Sequence, residues 1–293
     1  MVRRGQMHNG TEVEDAYRHC EQITRRAAKN FYFGFISLPK FRRRAICSVY
    51  ALSRRWDDIA DGDQDRSTKA RLLEAEKEKL DHMNEQRDDP VYRAVLRTVR
   101  QFGIPRRYFY ELLEGVRLDL MKTRYETVSE LLDYCYHVAS TPGLIVLEIF
   151  GYEEAEARKY ARQLGYAMQL TNILRDVKKD LCRDRIYLPA EELKQEGVSE
   201  QHLMEKEWSP SVSRVMRRIA MRAERYFHES RKLFPLLTPS SRTCPLILMR
   251  LYRTLLNKLK SRQFDVFSAP VRLSVFDKFF LLINTVFFHP AAV

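Results

Sequence analysis

With 293 residues, 45% hydrophobic and 31% charged, the chain has material for a large core and is neither a disordered polymer nor a membrane-spanning one. Its net charge of +12 is spread along many segments, Arg42-Arg43-Arg44 being the only run of three. That distribution disfavours nucleic-acid binding, which wants basic residues clustered with aromatics on one surface, and better suits phosphorylated substrates or an anionic membrane surface.

Ten glycines and few alternating apolar runs predict an all-α chain. No repeat or linker appears, so 1–293 reads as one domain with its core at about 11–288. Five cysteines (20, 47, 135, 182 and 244) show no CxxC spacing and read as reduced structural thiols. Met1 to Gly10 lacks the apolar run of a signal peptide.

The first predicted helix covers 11–29, with Thr11 as its N-cap. Asn30 to Leu38 is an aromatic run closed by Pro39. The helix 42–61 ends at Gly62 and places Tyr50, Arg54, Asp57 and Asp61 on one face, with Ile46, Val49, Trp56 and Ala60 as packing. Asp58 points elsewhere. Segment 67–86, rich in Glu and Lys, reads as a solvent-facing helix without chemistry. Asp88-Asp89-Pro90 opens a helix that stops at Gly103, and Pro105 opens the next. There Gly115 costs about 1 kcal/mol relative to Ala, which close packing would explain.

Thr127 and Glu130 form a capping box for a long helix. On it Tyr136, Ala139 and Gly143 share a face, leaving room for a long hydrocarbon or for ordinary close packing. Pro142 predicts a kink in that helix. The helix 153–181 organises the chain: Gln169, Asn172, Asp176 and Asp180 make a polar stripe edged by Leu170, Ile173, Leu174 and Val177. An ordinary amphipathic helix turns an apolar stripe to the core. Arg175 is at hand, while Lys178 and Lys179 would be the counter-charges of a merely solvated face. Short helices over 190–197 and 199–206, a basic one over 210–233 and another over 245–263 follow. Phe276 to Phe288 is the most apolar stretch, too short and too charged to cross a bilayer. It suits docking on the core or lying on a membrane.

Two carboxylates one helical turn apart, about 6 Å along the axis, can ligate hard cations such as Mg²⁺, which is usually shared with substrate phosphates. Two such pairs, Asp57/Asp61 and Asp176/Asp180, each with an arginine, can hold several cations and a diphosphate across a cleft. No Ser–His–Asp set, P-loop or GxGxxG pattern points to a hydrolase, kinase or dinucleotide enzyme.

The stretches YALSRRWDDIAD (50–61) and QLTNILRDVKKDLCRDRIYLP (169–189) resemble the two aspartate-rich motifs of the squalene and phytoene synthase family, and the likeness runs from Asn30-Phe31 to Val266-Phe267. The resemblance implies an all-α, single-domain helical isoprenoid synthase fold with a central cavity. It implies ionisation of one prenyl diphosphate and head-to-head attack by a second. Asp57, Asp61, Asn172, Asp176 and Asp180 would ligate about three Mg²⁺ ions, Mn²⁺ being the alternative. Tyr50, Arg54, Arg175, Arg250 and Tyr252 would contact diphosphate, and Gln169 would bind substrate. Asn30 and Phe31 would line the pocket entrance and Ala139 and Gly143 its wall. Tyr136 would sit in the reaction cavity, where it or the released diphosphate takes the proton lost on cyclopropane closure.

Segments 30–35, 115–125 and 134–140 look most like farnesyl-using bacterial members. The expected product is therefore presqualene diphosphate, for squalene or hopanoid synthesis, with no NADPH. Phytoene from two geranylgeranyl diphosphates, in carotenoid synthesis, is the near rival, and a complete NADPH-dependent squalene synthase the third reading. From another class comes a non-catalytic assembly relative, which would be expected to lose the aspartates retained here. The protein is expected in the cytoplasm, at most peripheral on the inner face of the membrane, with no nucleic-acid partner; the sequence does not specify its oligomeric state.

Overall fold

The computed structural model describes residues 2–27, 32, 34–86, 88–274, 276–277, 280–281 and 285, with side chains from Thr11 onward. Asn30 and Phe31 lie outside the described residues. Among those described there is no β-strand, two isolated bridges aside (Arg124 with Ile186, Tyr152 with Leu237).

Helices α1 (Val2–Ala27) and α2 (Lys40–Asp61) lead into α3 (Arg66–Asp81), α4 (Pro90–Phe102) and α5 (Arg107–Met121). Next come α6 (Val128–Cys135), a π-helical turn (Tyr136–Ser140), α7 (Thr141–Phe150) and α8 (Ala157–Leu181). Short α9 (Ala190–Gln195) and α10 (Glu200–Met204) precede α11 (Pro210–Ser230), α12 (Leu233–Leu236) and α13 (Pro239–Ser261). Helix α2 packs on α1, α4 and α5, while α8 packs on α7, α11, α13 and the π turn. Helix α5 touches both groups, through α2 on one side and the π turn on the other. One continuous cluster of buried apolar side chains joins them.

Local chemistry sets most boundaries. Asp65 caps α3 by accepting from the amides of Ser67 and Thr68, and Asp89 caps α4 through Val91 and Tyr92. Gly103 ends α4 at φ 63°, a left-handed conformation that glycine adopts without a Cβ penalty. Thr127 accepts from the Glu130 amide as predicted, and Glu130 reaches back to the amide of Glu126.

Four sequence expectations change. Helix α1 starts at Val2, so Thr11 lies inside it and is no cap; extending a formed helix costs less than nucleating one. Helix α3 is not a bare solvent-facing rod, because it buries Glu76. That carboxylate accepts from the Trp56 indole at 2.9 Å and the Tyr92 hydroxyl at 3.0 Å, and Lys79 lies 2.6 Å away. Removing partners from such a buried charge costs about 3–5 kcal/mol. Helix α13 begins at Pro239, leaving Pro245 inside it; its first turn is anchored where Thr238 and Ser241 both donate to the Phe150 carbonyl.

The long helix expected from Thr127 is also divided. The π turn takes up the break, so Pro142 falls in the first turn of α7, where its missing amide leaves no helical bond unmade. Two glycines make room for this turn. A Cβ on Gly115 would stand 2.9 Å from His137 Cβ, and one on Gly165 only 2.6 Å from Ser140 Cα. Gly115 does serve close packing, and α5 and α8 grip the turn from either side.

Candidate active site

Three helices end at the same place. Asp57 and Asp61 occupy the last turns of α2, Asp119 the last turn of α5, and Asp176 and Asp180 the last turns of α8. The helix macrodipole is negative there, so carboxylates are unfavourably placed for stability. Asp119 sits within electrostatic reach of Asp57, Asp61 and Asp180, which ties the two motif helices together. Burial pushes the Asp57 carboxyl up to about 7, with Arg54 opposing and Asp119 and Asp61 adding to the rise. Asp180 is also raised to about 7, by burial and then by Asp176. Asp119 is raised by burial against the opposing charge of Arg185.

The loop after α8 closes the site. Its backbone is pinned to residues 123–125, the Ile186 amide donating to the Thr123 carbonyl and that of Ala190 to Tyr125, both at 2.8 Å. Arg183 then reaches Asp61 across the cleft at 3.2 Å, and Arg185 donates to the Asp119 carbonyl at 3.1 Å. Tyr187 donates to Asp119 Oδ1 at 2.9 Å, and Tyr134 donates to the Tyr187 hydroxyl at 3.4 Å. Tyr125, Tyr134 and Tyr187 form a cluster of rings with centroids 5.1–5.6 Å apart.

Beside the acidic cluster lies a cavity of about 690 Å³ between α8, α13 and residues 266–273. Leu248, Leu251, Leu255, Val266 and Val271 give it an apolar wall; Arg175, Asp176, Lys178, Lys179, Tyr252 and Arg272 give it a charged rim. Arg175 grips Asp176 with two donors, Nε to Oδ1 at 2.8 Å and Nη2 to Oδ2. Tyr50 of α2 lies within electrostatic reach of Tyr252, and Tyr252 within reach of Arg175 and Asn172.

Most predicted residues are thus brought together, but three placements differ. Arg54 is turned onto exposed Asp58, 2.5 Å away, a pair that solvent makes weak. Arg250 lies about 200° round α13 from Tyr252 and donates instead to Thr285 Oγ1 at 3.0 Å. Tyr136, Ala139 and Gly143 are partly buried and do not line the large cavity. The π turn swings Tyr136 onto α5, where it donates to Glu111 Oε2 at 2.9 Å, and burial with that carboxylate raises its pKa to about 12. The tyrosine drawn to the acidic cluster is Tyr134, two residues earlier.

Asp119, Tyr134, Arg183, Arg185 and Arg272 were missed by sequence reasoning. Asp119 had a signal: it falls three residues after buried Val116 and seven after buried Leu112, a charge on the apolar stripe of α5. The arginines had none, since their reach depends on how the loop folds back.

No three His, Cys, Asp or Glu side chains among the described residues converge into a ready-made metal cage. The donor set still suits a hard cation. Asn172 Oδ1 is buried with no hydrogen-bond partner, one turn before Asp176, and Asp57 and Asp180 are desolvated carboxylates repelled by their neighbours. Such oxygens fit Mg²⁺ held jointly by protein and substrate phosphates.

Helices that end in facing carboxylates beside an apolar cavity define a class of all-α enzymes acting on prenyl diphosphates. The chain belongs to the squalene/phytoene synthase family, whose model matches residues 24–277. It is similar to the phytoene synthase of Mycobacterium bovis, 37% identical over 268 residues, covering 90% of this chain and 88% of the relative. The 15-cis-phytoene synthase of Synechococcus elongatus is 35% identical over 269 residues, covering 87% of each. Among solved structures, a dehydrosqualene synthase in complex with ligand superposes with a TM-score of 0.87 at 33% identity, covering 94% of this chain and 97% of that one. Squalene synthase HpnC from Alicyclobacillus acidocaldarius gives 0.81 at 27% identity, covering 87% and 97%. The fold is the all-α isoprenoid synthase fold, and the family is one of prenyltransferases that join prenyl diphosphates head to head.

Proposed function

We propose that the chain condenses two geranylgeranyl diphosphates head to head to phytoene, with release of diphosphate. The facing carboxylates of α2 and α8, joined by Asp119, carry the reaction type. Likeness to proteins named phytoene synthase supports the C20 substrate over the C15 one that segments 30–35, 115–125 and 134–140 suggested. Presqualene diphosphate from farnesyl diphosphate stays as the second reading, favoured by the likeness to a dehydrosqualene synthase.

Asp57, Asp61, Asn172, Asp176 and Asp180 would hold Mg²⁺, which when bound would neutralise the diphosphate and make it a leaving group. Arg175 and Arg272 line the cavity rim and can donate charge-assisted hydrogen bonds to diphosphate oxygens; Arg183 and Arg185 can do so from the loop. The apolar wall excludes water, which would otherwise trap the allylic cation as an alcohol. Tyr136 is not assigned as the base, because its hydroxyl is turned onto Glu111 of α5 and it does not line the cavity. The released diphosphate is then the proton acceptor. A hydrocarbon product insoluble in water brings with it a peripheral contact with a membrane.

The test is incubation of purified protein with Mg²⁺ and labelled C15 or C20 diphosphate, with and without NADPH. Phytoene from C20 is expected. Presqualene diphosphate from C15, with C20 ignored, would return the second reading, and squalene appearing only with NADPH the third. No coupled product from either substrate would overturn head-to-head condensation.

A further inference from the structure

The basic side of α11 is more than a solvated helix face. Arg214, Arg218 and Arg222 recur every four residues, so they share one side of the helix. Facing them are Glu192, in the first turn of α9, and Glu196, just past its end. Arg218 donates to Glu192 Oε2 at 2.5 Å, Arg222 pairs with Glu192 Oε1 at 2.7 Å, and Arg214 donates to Glu196 Oε2 at 2.7 Å. The Glu192 side chain is 2% exposed, against 41% and 33% for its two arginines. Ion pairs in water contribute little, but a carboxylate taken out of water depends on both of its partners. The neighbouring Glu191 reaches a different helix, accepting from the Val128 amide at the start of α6 at 2.6 Å.

We propose that Glu192 is a positioning residue for the reaction: clamped by Arg218 and Arg222, it fixes the far end of the loop that brings Arg183, Arg185 and Tyr187 to the acidic cluster. The near end has its own tie, Arg124 to Asp184 at 2.6 Å. Tyr187 donates to Asp119 Oδ1 and Arg185 to the Asp119 carbonyl. Between Tyr187 and Glu192 run only Leu188, Pro189, Ala190 and Glu191, and the first two are buried. The proline ring fixes φ in that link, so displacement of Glu192 passes to Tyr187 with little slack. Glu192 touches no substrate and acts only through the loop. This deepens the proposed function and rests on it for the diphosphate contacts of Arg183 and Arg185, though not for the clamp.

Hydrogen exchange of the full chain, joined to calorimetric titration with inorganic diphosphate in Mg²⁺, is the test. Glu192→Gln is the variant, because the amide keeps one acceptor and both arginines can turn to solvent. The Ile186 and Ala190 amides, bonded to Thr123 and Tyr125, should exchange at least tenfold faster, with those of α13 unchanged. Diphosphate should bind at least threefold more weakly. Glu192→Gln and Tyr187→Phe act through the same side chain, so their combined loss of turnover should be smaller than the product of the separate losses. Exchange raised evenly over all helices, unchanged diphosphate affinity, or losses that simply multiply would each overturn the proposal and leave Glu192 holding α9 on α11 and nothing more. If Glu192→Gln does not fold, Arg222→Gln, which leaves Arg218 on the carboxylate, must show the same local pattern at smaller size, and its absence overturns the proposal equally. Wild-type protein that binds diphosphate but makes no phytoene would remove the phytoene reading alone, since exchange and affinity do not depend on the product.

Discussion

Replacing three glycines by alanine, one at a time, tests how tightly the π turn is held. At Gly165 the new Cβ would stand 2.6 Å from Ser140 Cα, 2.8 Å from Ser140 N and 2.9 Å from the Ala139 oxygen. All three are backbone atoms that cannot rotate aside, so the turn or α8 must move by close to an ångström. Overpacking of this kind costs about 1–3 kcal/mol, and rigid neighbours put Gly165→Ala at the top of that range. At Gly115 the contacts are longer, 2.9 Å to His137 Cβ and 3.0 Å to Val138 Cγ1, and partly with side chains that can shift. Gly115→Ala should cost about 1–2 kcal/mol. At Gly143 a Cβ meets nothing nearer than the Ala161 oxygen at 3.5 Å. Gly143→Ala, in the first turns of α7, should therefore stabilise by about 0.5–1 kcal/mol through helix propensity and lost chain entropy. At roughly 2 °C per kcal/mol for a chain of this size, melting should fall by about 6 °C for Gly165→Ala, fall by 2–4 °C for Gly115→Ala and rise by 1–2 °C for Gly143→Ala. Thermal denaturation followed by circular dichroism reads the order directly. A Gly165→Ala protein as stable as wild type, or a Gly143→Ala protein as damaged as it, would refute the packing argument.

Further outcomes follow from the site. EDTA should abolish turnover and Mg²⁺ restore it, and Asp57→Asn or Asp176→Asn should each lower turnover at least a hundredfold, about 3 kcal/mol in the barrier; wild-type rates in folded variants would remove these residues as ligands. Asp119→Asn keeps an acceptor for Tyr187 but deletes the charge between Asp57 and Asp180. It should cut turnover at least tenfold while Tyr187→Phe does so less, and equal, small effects would make Asp119 merely structural. Asp57 and Asp180 are raised to about 7, so their stabilising contribution is full below pH about 4, where the unfolded chain also binds the proton, and is lost as pH rises through 7. Metal-free protein should therefore melt lower at pH 8 than at pH 5, with Mg²⁺ and inorganic diphosphate narrowing the gap; a flat or rising profile contradicts the burial of these carboxylates.

The polar stripe Gln169, Asn172, Asp176, Asp180 and its partner Asp57, Asp61 were legible in the sequence because both ends of each pair lie on one helix, where a fixed turn of about 100° per residue decides which side chains share a face. Caps and stops were legible for the same reason: Asp89, Gly103 and Thr127 act on amides or angles a few residues away. Asp119, Tyr134 and Arg183 belong to the site through contacts with residues 53 to 122 positions distant, and no local period encodes those. Tyr136 was misplaced because its direction hangs on one extra residue in a π turn, which exists where Gly115 and Gly165 leave room on two other helices. The sequence by itself determined that α2 and α8 carry charge toward a cleft. Only the tertiary structure decided which arginine and tyrosine reach it, because a side chain's reach is set by where the next helix stands.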